Sequence, residues 1–176
     1  MTLWMWMLII VIIGQRLIEL KIARHNEQWM KSRGGIEKGA EHYKWFIILH
    51  TAFFMSILFE VLIIGESQPK QLNVYLLTIF LLTQVGRVWC IYTLGKFWNT
   101  KIIVIPGVSL IRKGPYKYMK HPNYVIVGVE LFIIPMLFGA YMTAIIFPIL
   151  HIILLRVRIP REDKALAKVS LPNVSK

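Results

Sequence analysis

The stretch VIVGVELFIIPMLFGAYMTAIIFPILHIILL, from Val125 to Leu155, decides the fold of this chain. It consists of two apolar runs separated by the tight turn Phe138-Gly139-Ala140. If the helices begin near Asn123 and end near Ile159, each has about 18 residues and a length of roughly 27 Å. That length nearly crosses a hydrocarbon layer of about 30 Å. The stretch therefore predicts a transmembrane helical hairpin.

Three further apolar runs precede this hairpin in a chain of 176 residues that is 56% hydrophobic and 17% charged. A soluble globular domain is typically half apolar and a quarter charged, so the composition excludes a disordered chain and disfavours a soluble enzyme. The first run lacks the basic flank and cleavage site of a signal peptide, and we expect it to be a retained span. We predict an all-α integral membrane protein with about five transmembrane helices. The five runs are Leu3–Leu20, Trp45–Ile64, Leu72–Leu94, Val125–Ala140 and Tyr141–Leu155.

Basic segments alternate with nearly uncharged ones along the chain. Lys21–Lys44, Lys96–Lys120 and the segment from Arg156 onward hold six Lys or Arg each, whereas the loop Gly65–Gln71 holds one. Because cytoplasmic loops are enriched in Lys and Arg, this pattern predicts a multi-pass protein of the cell membrane with its N-terminus outside and its C-terminus in the cytoplasm. In so apolar a chain, the net charge of +12 favours an anionic membrane face over nucleic acid as the partner.

We divide the chain after the third run. Residues 1–94 hold three N-terminal spans and the cytoplasmic loop 21–44, whose polar, glycine-rich part Gln28–Lys44 we expect to be flexible. Residues 95–176 hold a second cytoplasmic loop, the hairpin 123–159 and a C-terminal cytoplasmic segment. We expect the functional site in this second part.

The loop of the second part reads GKFWNTKIIVIPGVSLIRKGPYKYMKHPN from Gly95 to Asn123. Its stretches Lys101–Ile105 and Val108–Ile111 are expected to be extended, with turns at Pro106-Gly107 and Gly114-Pro115. A structured loop of this length is uncommon and is often functional.

His121 marks the end of this loop. A residue before proline avoids the helical region, and Pro122 suits the first position of a helix. His121 therefore lies at a helix N-terminus, which favours anions. The basic and aromatic neighbours are Arg112, Lys113, Lys117, Lys120, Tyr116, Tyr118 and Tyr124. They fit either a ligand site or an anchor at the membrane interface.

A second polar group follows the hairpin. Arg158 and Glu162 are four residues apart with Pro160 between them. We expect the proline to end the fifth span or to start a new short helix. Glu162 would then occupy the first turn of that helix, where a carboxylate is favourable. An arginine cluster that stops the span is the alternative interpretation.

Ionisable residues inside spans are functional hypotheses by default, because their burial in a membrane is costly. Arg16 and Glu19 are three residues apart and are expected to pair with each other. Glu60 lies near the outer end of its span, where water can reach it. The others are His50, Arg87 and Glu130.

Several catalytic motifs are absent from the sequence. The chain has no Walker loop, no G-x-G-x-x-G after a strand and no G-x-S-x-G nucleophile elbow. It also has no H-E-x-x-H zinc motif, and its five histidines are scattered, so we expect no metal site. One cysteine excludes an intrachain disulfide.

At the polar residues described above, the chain resembles the isoprenylcysteine carboxyl methyltransferase family. The family pattern is G-x-Y, R-H-P-x-Y, a helical hairpin, and then an arginine followed by an acidic pair. Here the pattern stands as Gly114-Pro115-Tyr116, Lys120-His121-Pro122-Asn123-Tyr124, Arg158 and Glu162-Asp163. Lys120 replaces the usual arginine, and Asp163 replaces the second glutamate. The resemblance covers about Gly95–Leu166.

This resemblance implies a membrane methyltransferase that uses S-adenosylmethionine. Arg158 matches the family's substrate-facing arginine and is the expected catalytic residue. The expected cofactor-binding residues are Val108, Ser109, Leu110, Ile111, Tyr116, His121, Pro122, Asn123, Tyr124 and Glu162. The whole chain, including the region from Arg16 to Glu27, resembles the Bacillus-type members. Those are associated with O-methylation of alkylpyrones, the lipid-like products of type III polyketide synthases, so such a synthase is an expected pathway partner.

We therefore predict an O-methyltransferase that acts on an acidic oxygen of a lipophilic small molecule, which enters laterally from the membrane lipids. The acceptor group would be an alkylpyrone hydroxyl or a prenylcysteine-like carboxylate. One alternative is a phospholipid N-methyltransferase, in which Glu130 would be the proton acceptor. A small transporter or scaffold protein is a second alternative, and a reductase that binds a nicotinamide cofactor is a third.

Overall fold

The structure is a computed structural model that describes residues 2–64, 69 and 71–170. These residues form five α-helices and one two-stranded sheet. The helices are α1 (Leu3–Lys31), α2 (Ala40–Phe59), α3 (Val74–Leu94), α4 (Pro122–Phe138) and α5 (Tyr141–Ser170), and the strands are β1 (Ile36–Lys38) and β2 (Ile102–Val104). A π-helical turn, Glu60–Ile64, continues α2. The predicted loop Gly65–Gln71 lies largely outside the described residues.

The described helices confirm the prediction of an all-α membrane fold. Four of them, α1, α2 with its continuation, α3 and α5, are long and apolar enough to cross a membrane. The fifth, α4, is apolar and has 17 residues, which is about 26 Å. α1 and α5 have 29 and 30 residues, about 45 Å each, and so exceed a hydrocarbon layer of about 30 Å. One end of each of these two helices can therefore extend beyond the membrane.

The helices pack through one apolar core. On α1 the buried side chains Met5, Ile9 and Ile12 follow helical spacing and therefore lie on one face. Phe53 of α2 packs edge-on against Phe147 of α5, with ring centroids 5.5 Å apart. Large hydrophobic side chains on the outward faces stay exposed, as expected for surfaces that contact lipid. In lipid, van der Waals packing and buried polar contacts hold such a bundle together.

The predicted turn of the hairpin is present. α4 ends at Phe138, and Gly139 follows with a φ of 74°, a left-handed conformation that commonly ends helices and favours glycine. The Ala140 amide then donates to the Pro135 carbonyl oxygen at 2.9 Å, and α5 begins at Tyr141. The turn places α4 and α5 side by side as antiparallel neighbours.

The prediction that Pro160 ends the fifth span or starts a new helix is wrong. α5 continues through both Pro148 and Pro160 to Ser170. A proline removes one helical hydrogen bond, and neighbouring groups can offset that loss in a membrane bundle. Here Arg158 and Glu162 both bond to Tyr124 of α4 and anchor the helix on each side of Pro160. Glu162 therefore lies one turn after Arg158 on the same helix, and not in a first helical turn.

The prediction that Gln28–Lys44 is flexible is also wrong. α1 continues to Lys31, and β1 then pairs antiparallel with β2, so that Ile36 lies opposite Val104. Lys101, next to β2, donates to Glu27 at 2.8 Å, and that hydrogen bond raises the pKa of Lys101. Residues of β1 are therefore ordered by pairing with β2, which is far away in the sequence. The sequence around β1 gives no local signal for this pairing.

Four of the ionisable residues predicted within the spans, Arg16, Glu19, Arg87 and Glu130, form one cluster between α1, α3 and α4. Arg87 donates to both carboxylate oxygens of Glu19 at 2.6 Å and to Glu130 at 3.1 Å. Arg16 donates to Glu19 at 2.9 Å, as predicted, and to Glu130 at 2.7 Å. Gln84 also donates to Glu130. Two cations and two anions balance, which reduces the cost of burying them.

Candidate functional site

A cavity of about 730 Å³ lies at the end of the bundle where α1, α3 and α5 end and α4 begins. The segment between α3 and α4 forms most of its wall, and the last turns of α5 close one side. Of the predicted cofactor residues, the wall includes Val108, Ser109, Leu110, Ile111, Tyr116, His121 and Glu162. Pro122, Asn123, Tyr124 and Arg158 do not line it. The cavity therefore gathers predicted cofactor residues that are up to 54 positions apart in the sequence.

Three features fix the beginning of this wall. Asn26, near the end of α1, is buried and donates to the carbonyl oxygens of Gly95 and Trp98 at 3.0 and 2.7 Å. β2 then holds the chain against β1. Beneath the strand, Met30, Ile103 and Ile105 form a small apolar cluster of their own. The end of α1 thus supports one side of the cavity.

The next part of the wall runs from Val108 to Ile111 and, unlike β2, pairs with no other strand among the described residues. It follows the turn at Pro106-Gly107, where Gly107 has a φ of 78°. The predicted turn at Gly114-Pro115 is a 3₁₀ turn, Gly114–Lys117. This turn directs Tyr116 into the wall.

Tyr116 is held between the cavity and α3. Burial raises the pKa of Tyr116, and the neighbouring Cys90 thiol adds to that effect. The phenol therefore stays protonated at physiological pH. The 3₁₀ turn approaches α3 closely, because a Cβ on Gly114 would lie 2.6 Å from the Thr93 hydroxyl oxygen and 3.0 Å from the Trp89 indole nitrogen.

The acidic end of the cavity is built from α5 and the start of α4. His121 has non-helical backbone angles and Pro122 takes the first position of α4, as predicted. The His121 Nε2 atom lies 3.1 Å from a carboxylate oxygen of Asp163, and its Nδ1 lies 3.7 Å from a carboxylate oxygen of Glu162. The His121 ring also stacks on Tyr124, with centroids 5.3 Å apart. The histidine is thereby fixed between two carboxylates and a tyrosine.

Arg158 lies just behind this end and is 7% exposed. Its Nε donates to the Tyr124 hydroxyl at 2.7 Å, and its Nη2 donates to the Thr100 carbonyl oxygen at 2.6 Å. Its guanidinium also lies over the Phe46 ring, 4.9 Å from the centroid. Arg158, which the family resemblance implies to be catalytic, is therefore held by groups from α4, from α2 and from the segment around Thr100.

The sequence analysis missed the groups that hold Arg158 from the far side. Thr100 and Phe46 belong to no motif, and Phe46 lies in the half of the chain where the resemblance is weakest. One signal was available, since Tyr43, Phe46 and His50 recur at helical spacing on α2. Tyr43 contacts the Thr100 hydroxyl at 3.1 Å, and Phe46 packs edge-on against His151. Tyr43 and Phe46 of that face thus contact Thr100 and Arg158, which lie next to the cavity.

The cavity wall carries charges of both signs. Its carboxylates are Glu162 and Asp163. Its cations are Lys101, Arg112, Lys117 and Lys120. In the part of the chain that the structure describes, no group of three His, Cys, Asp or Glu side chains is placed to hold a metal ion. The site therefore suits an organic ligand that itself carries both charges.

The chain matches known proteins over most of its length. Residues 76–168 match the model of the Isoprenylcysteine carboxyl methyltransferase (ICMT) family. The uncharacterized protein YpbQ of Bacillus subtilis is 46% identical over 166 residues, which cover 94% of this chain and 98% of that protein. An uncharacterized protein of Haemophilus influenzae is 28% identical over 166 residues, covering 89% of this chain and 91% of that protein. No solved structure matches the chain.

Proposed function

The chain belongs to the isoprenylcysteine carboxyl methyltransferase family of membrane methyltransferases, and we propose that it transfers a methyl group from S-adenosylmethionine to an acidic oxygen of a lipophilic acceptor. One observation carries this proposal. Glu162 lines the cavity, whereas Arg158, one turn earlier on α5, lies behind the wall with Tyr124 between the two side chains. Glu162 can therefore bind the cofactor while the neighbouring Arg158 stays available to bind the acceptor.

The cavity suits S-adenosylmethionine in size and polarity. Its volume of about 730 Å³ lies within the usual range of small-molecule sites. Glu162 and Asp163 would bind the cofactor's ammonium, and the N-terminus of α4 beside His121 favours its carboxylate. The wall from Val108 to Ile111 offers apolar contact to the adenine.

The residues of this chain position the reactants. When bound, the cofactor supplies a methyl group made electrophilic by its sulfonium. Holding two reactants in line contributes up to roughly 7–11 kcal/mol. In the described part of the chain, the hydrogen bonds of the Arg158 side chain use Nε and Nη2, which leaves Nη1 to donate to an anionic oxygen of the acceptor. A carboxylate or an acidic enol is already ionised near neutral pH, so the reaction needs no strong general base.

The position of Glu130 disfavours N-methylation of a phospholipid. An amine acceptor must lose a proton, and Glu130 was the expected group to take it. Glu130 does not line the cavity and accepts hydrogen bonds from Arg16, Gln84 and Arg87. Its carboxylate is therefore already engaged by three side chains and lies away from the cavity. An oxygen acceptor, which requires no such base, fits the site better.

We propose that the cavity faces the cytoplasm and that the acceptor enters laterally from the membrane. The elements around the cavity belong to the basic segments Lys21–Lys44, Lys96–Lys120 and the one that begins at Arg156, and such segments face the cytoplasm. Alkylpyrones made by a type III polyketide synthase and prenylcysteine analogues are the two acceptor classes to compare.

Calorimetric binding of S-adenosylhomocysteine to the detergent-purified chain tests the proposal. We expect the wild type to bind, Glu162→Ala to lose binding and Arg158→Ala to keep it. Glu41→Ala is the matched control, since Glu41 is an exposed glutamate that pairs with Arg161 away from the cavity. A folded wild type that does not bind would contradict the proposal and favour the transporter or scaffold alternative.

A further inference from the structure

Arg158 and Glu162 are four residues apart on α5, a spacing that favours a direct salt bridge. Their charged groups nevertheless do not come within hydrogen-bond distance of each other. Side chains of opposite charge four residues apart on a helix are neighbours and normally pair. Here the Arg158 Nε atom lies 3.9 Å from the Glu162 Oε2 atom. The Tyr124 hydroxyl lies between them. It accepts from Arg158 Nε at 2.7 Å and donates to Glu162 Oε2.

We propose that Tyr124 is a positioning residue that keeps Arg158 and Glu162 apart, so that each stays available to a different reactant. The inference rests on the proposed function for the roles of the two charges, Glu162 toward the cofactor and Arg158 toward the acceptor. It differs from the sequence-based expectation that Tyr124 binds the cofactor directly. Tyr124 does not line the cavity.

The surroundings of Tyr124 fit this role, because both of its ends are fixed. Its ring stacks on His121, and its backbone carbonyl lies 3.2 Å from the His151 Nε2 atom. The hydroxyl is thereby held at one position between α4 and α5. On the other side of the guanidinium, the Thr100 carbonyl and the Phe46 ring hold Arg158 back.

Without the hydroxyl, only the Thr100 carbonyl and the Phe46 ring would hold Arg158 away from Glu162. Removing one oxygen leaves a gap between a buried cation and a half-buried anion, whose attraction is stronger than it would be in bulk water. The flexible arginine side chain can close that gap and bond directly to Glu162. The carboxylate would then be neutralised internally and would bind a ligand ammonium poorly.

Binding of S-adenosylhomocysteine to the full chain in detergent tests this step. We expect Tyr124→Phe to bind about tenfold to a hundredfold more weakly, the loss expected when a hydrogen bond to a charged group is withdrawn. Adding Arg158→Gln to Tyr124→Phe should restore most of the affinity, because the competing cation is gone. Tyr92→Phe removes a hydroxyl from an exposed tyrosine on α3 and should bind like the wild type.

The rescue separates this proposal from the simpler explanations. If Tyr124 contacted the cofactor, or only supported the fold, the double variant would bind no better than Tyr124→Phe, and the proposal would be overturned. Undiminished affinity in Tyr124→Phe would overturn it as well. Failure of the proposed function itself would show differently, as a wild type that does not bind.

A structure of ligand-free Tyr124→Phe tests the same proposal without any cofactor. We expect a nitrogen of Arg158 to move to within about 3.2 Å of a Glu162 oxygen, the distance of a direct hydrogen bond. A separation that stays at the 3.9 Å of the wild type would contradict the proposal, whatever the protein binds.

Discussion

Gly114 turns the chain from the cavity wall toward Tyr116 with a φ of 51°, a conformation that costs other residues about 1–2 kcal/mol. A Cβ there would also lie 2.6 Å from the hydroxyl oxygen of Thr93, a β-branched side chain with little rotational freedom in a helix. We expect Gly114→Ala to push the 3₁₀ turn off α3 and to weaken binding of S-adenosylhomocysteine more than about tenfold, since Tyr116 moves with the wall.

Gly107→Ala is the matched control for this prediction. Gly107 also has a positive φ, 78°, but nothing lies within 4 Å of the Cβ that would be added. It therefore tests the backbone strain without the clash. We expect Gly107→Ala to lower the thermal midpoint slightly and to keep most of the affinity. Equal losses of affinity in the two variants would show that the close approach to α3 is unimportant.

At this scale, local rules predicted some residues of the site and missed others. Pro122 at the first position of α4, and a non-helical His121 before it, follow from the geometry of proline. The Thr100 group that accepts from Arg158 is a backbone carbonyl oxygen. Every residue has one, so the identity of residue 100 could not have predicted this contact. Phe46 reaches Arg158 from another helix. Such contacts arise only when distant segments pack together.

Among the elements, α5 depends on another helix for its N-terminal cap. The residues before it, Gly139 and Ala140, have no side-chain oxygen for the free amides of its first turn. Glu60, at the end of α2, accepts from the amides of Met142 and Thr143 at 2.8 and 2.9 Å and from the Thr143 hydroxyl at 2.7 Å. The carboxylate caps α5 from outside, which explains an acidic residue that the sequence analysis expected to be simply hydrated.

Replacement of Glu60 should therefore destabilise the protein without affecting the site. We expect Glu60→Ala to cost about 0.5–2 kcal/mol, the usual effect of losing a helix cap, and Glu60→Gln to cost less because it keeps one acceptor oxygen. Thermal denaturation in detergent measures both. Binding of S-adenosylhomocysteine should not change, since Glu162 lies about 30 Å along α5 from Met142. A loss of affinity in folded Glu60→Ala would contradict this assignment.

The limits of prediction for elements have similar causes. The five apolar runs were visible because the membrane demands long stretches without charge. The strand β1 was not, because a three-residue strand within a polar loop forms only when its partner, β2, lies beside it. The continuous α5 was not predicted because a proline within a helical sequence usually indicates a helix end. The contacts on both sides of Pro160 that keep the helix intact cannot be seen in the sequence.

In the molecule as a whole, the part that matches the family model is held in place by contacts with the residues that precede it. The matched residues, 76–168, include α4, nearly all of α3 and α5, and most of the cavity wall. The preceding residues supply β1, the Asn26 contacts and half of the buried ionic cluster. That cluster joins Glu19 of α1 to Arg87 of α3, close to the middle of the bundle. The integrity of the bundle therefore depends on a balance of charge across both halves.

A double-mutant cycle on Glu19 and Arg87 tests this dependence. Each single change to glutamine leaves three charges in the buried cluster, which no longer balance. An unbalanced buried charge typically costs about 3–5 kcal/mol and here should lower the thermal midpoint by roughly 10 °C. The double variant removes one charge of each sign and keeps the pair between Arg16 and Glu130 at 2.7 Å. We expect it to melt above either single variant, because the remaining charges balance again.

The exposed pair of Arg161 and Glu41 provides the matched cycle. Its atoms are as close, 2.6 Å, but its side chains are 43% and 67% exposed, so water and salt screen the interaction. We expect its two single changes to have small and additive effects on the midpoint. If the buried cycle were equally additive, the cluster would have to be hydrated, and charge balance would not hold α1 to the rest of the bundle. A strong coupling in the buried cycle alone would instead mean that the ion pairs hold α1 against the other helices. Their separation would then be costly because the charges are buried away from water.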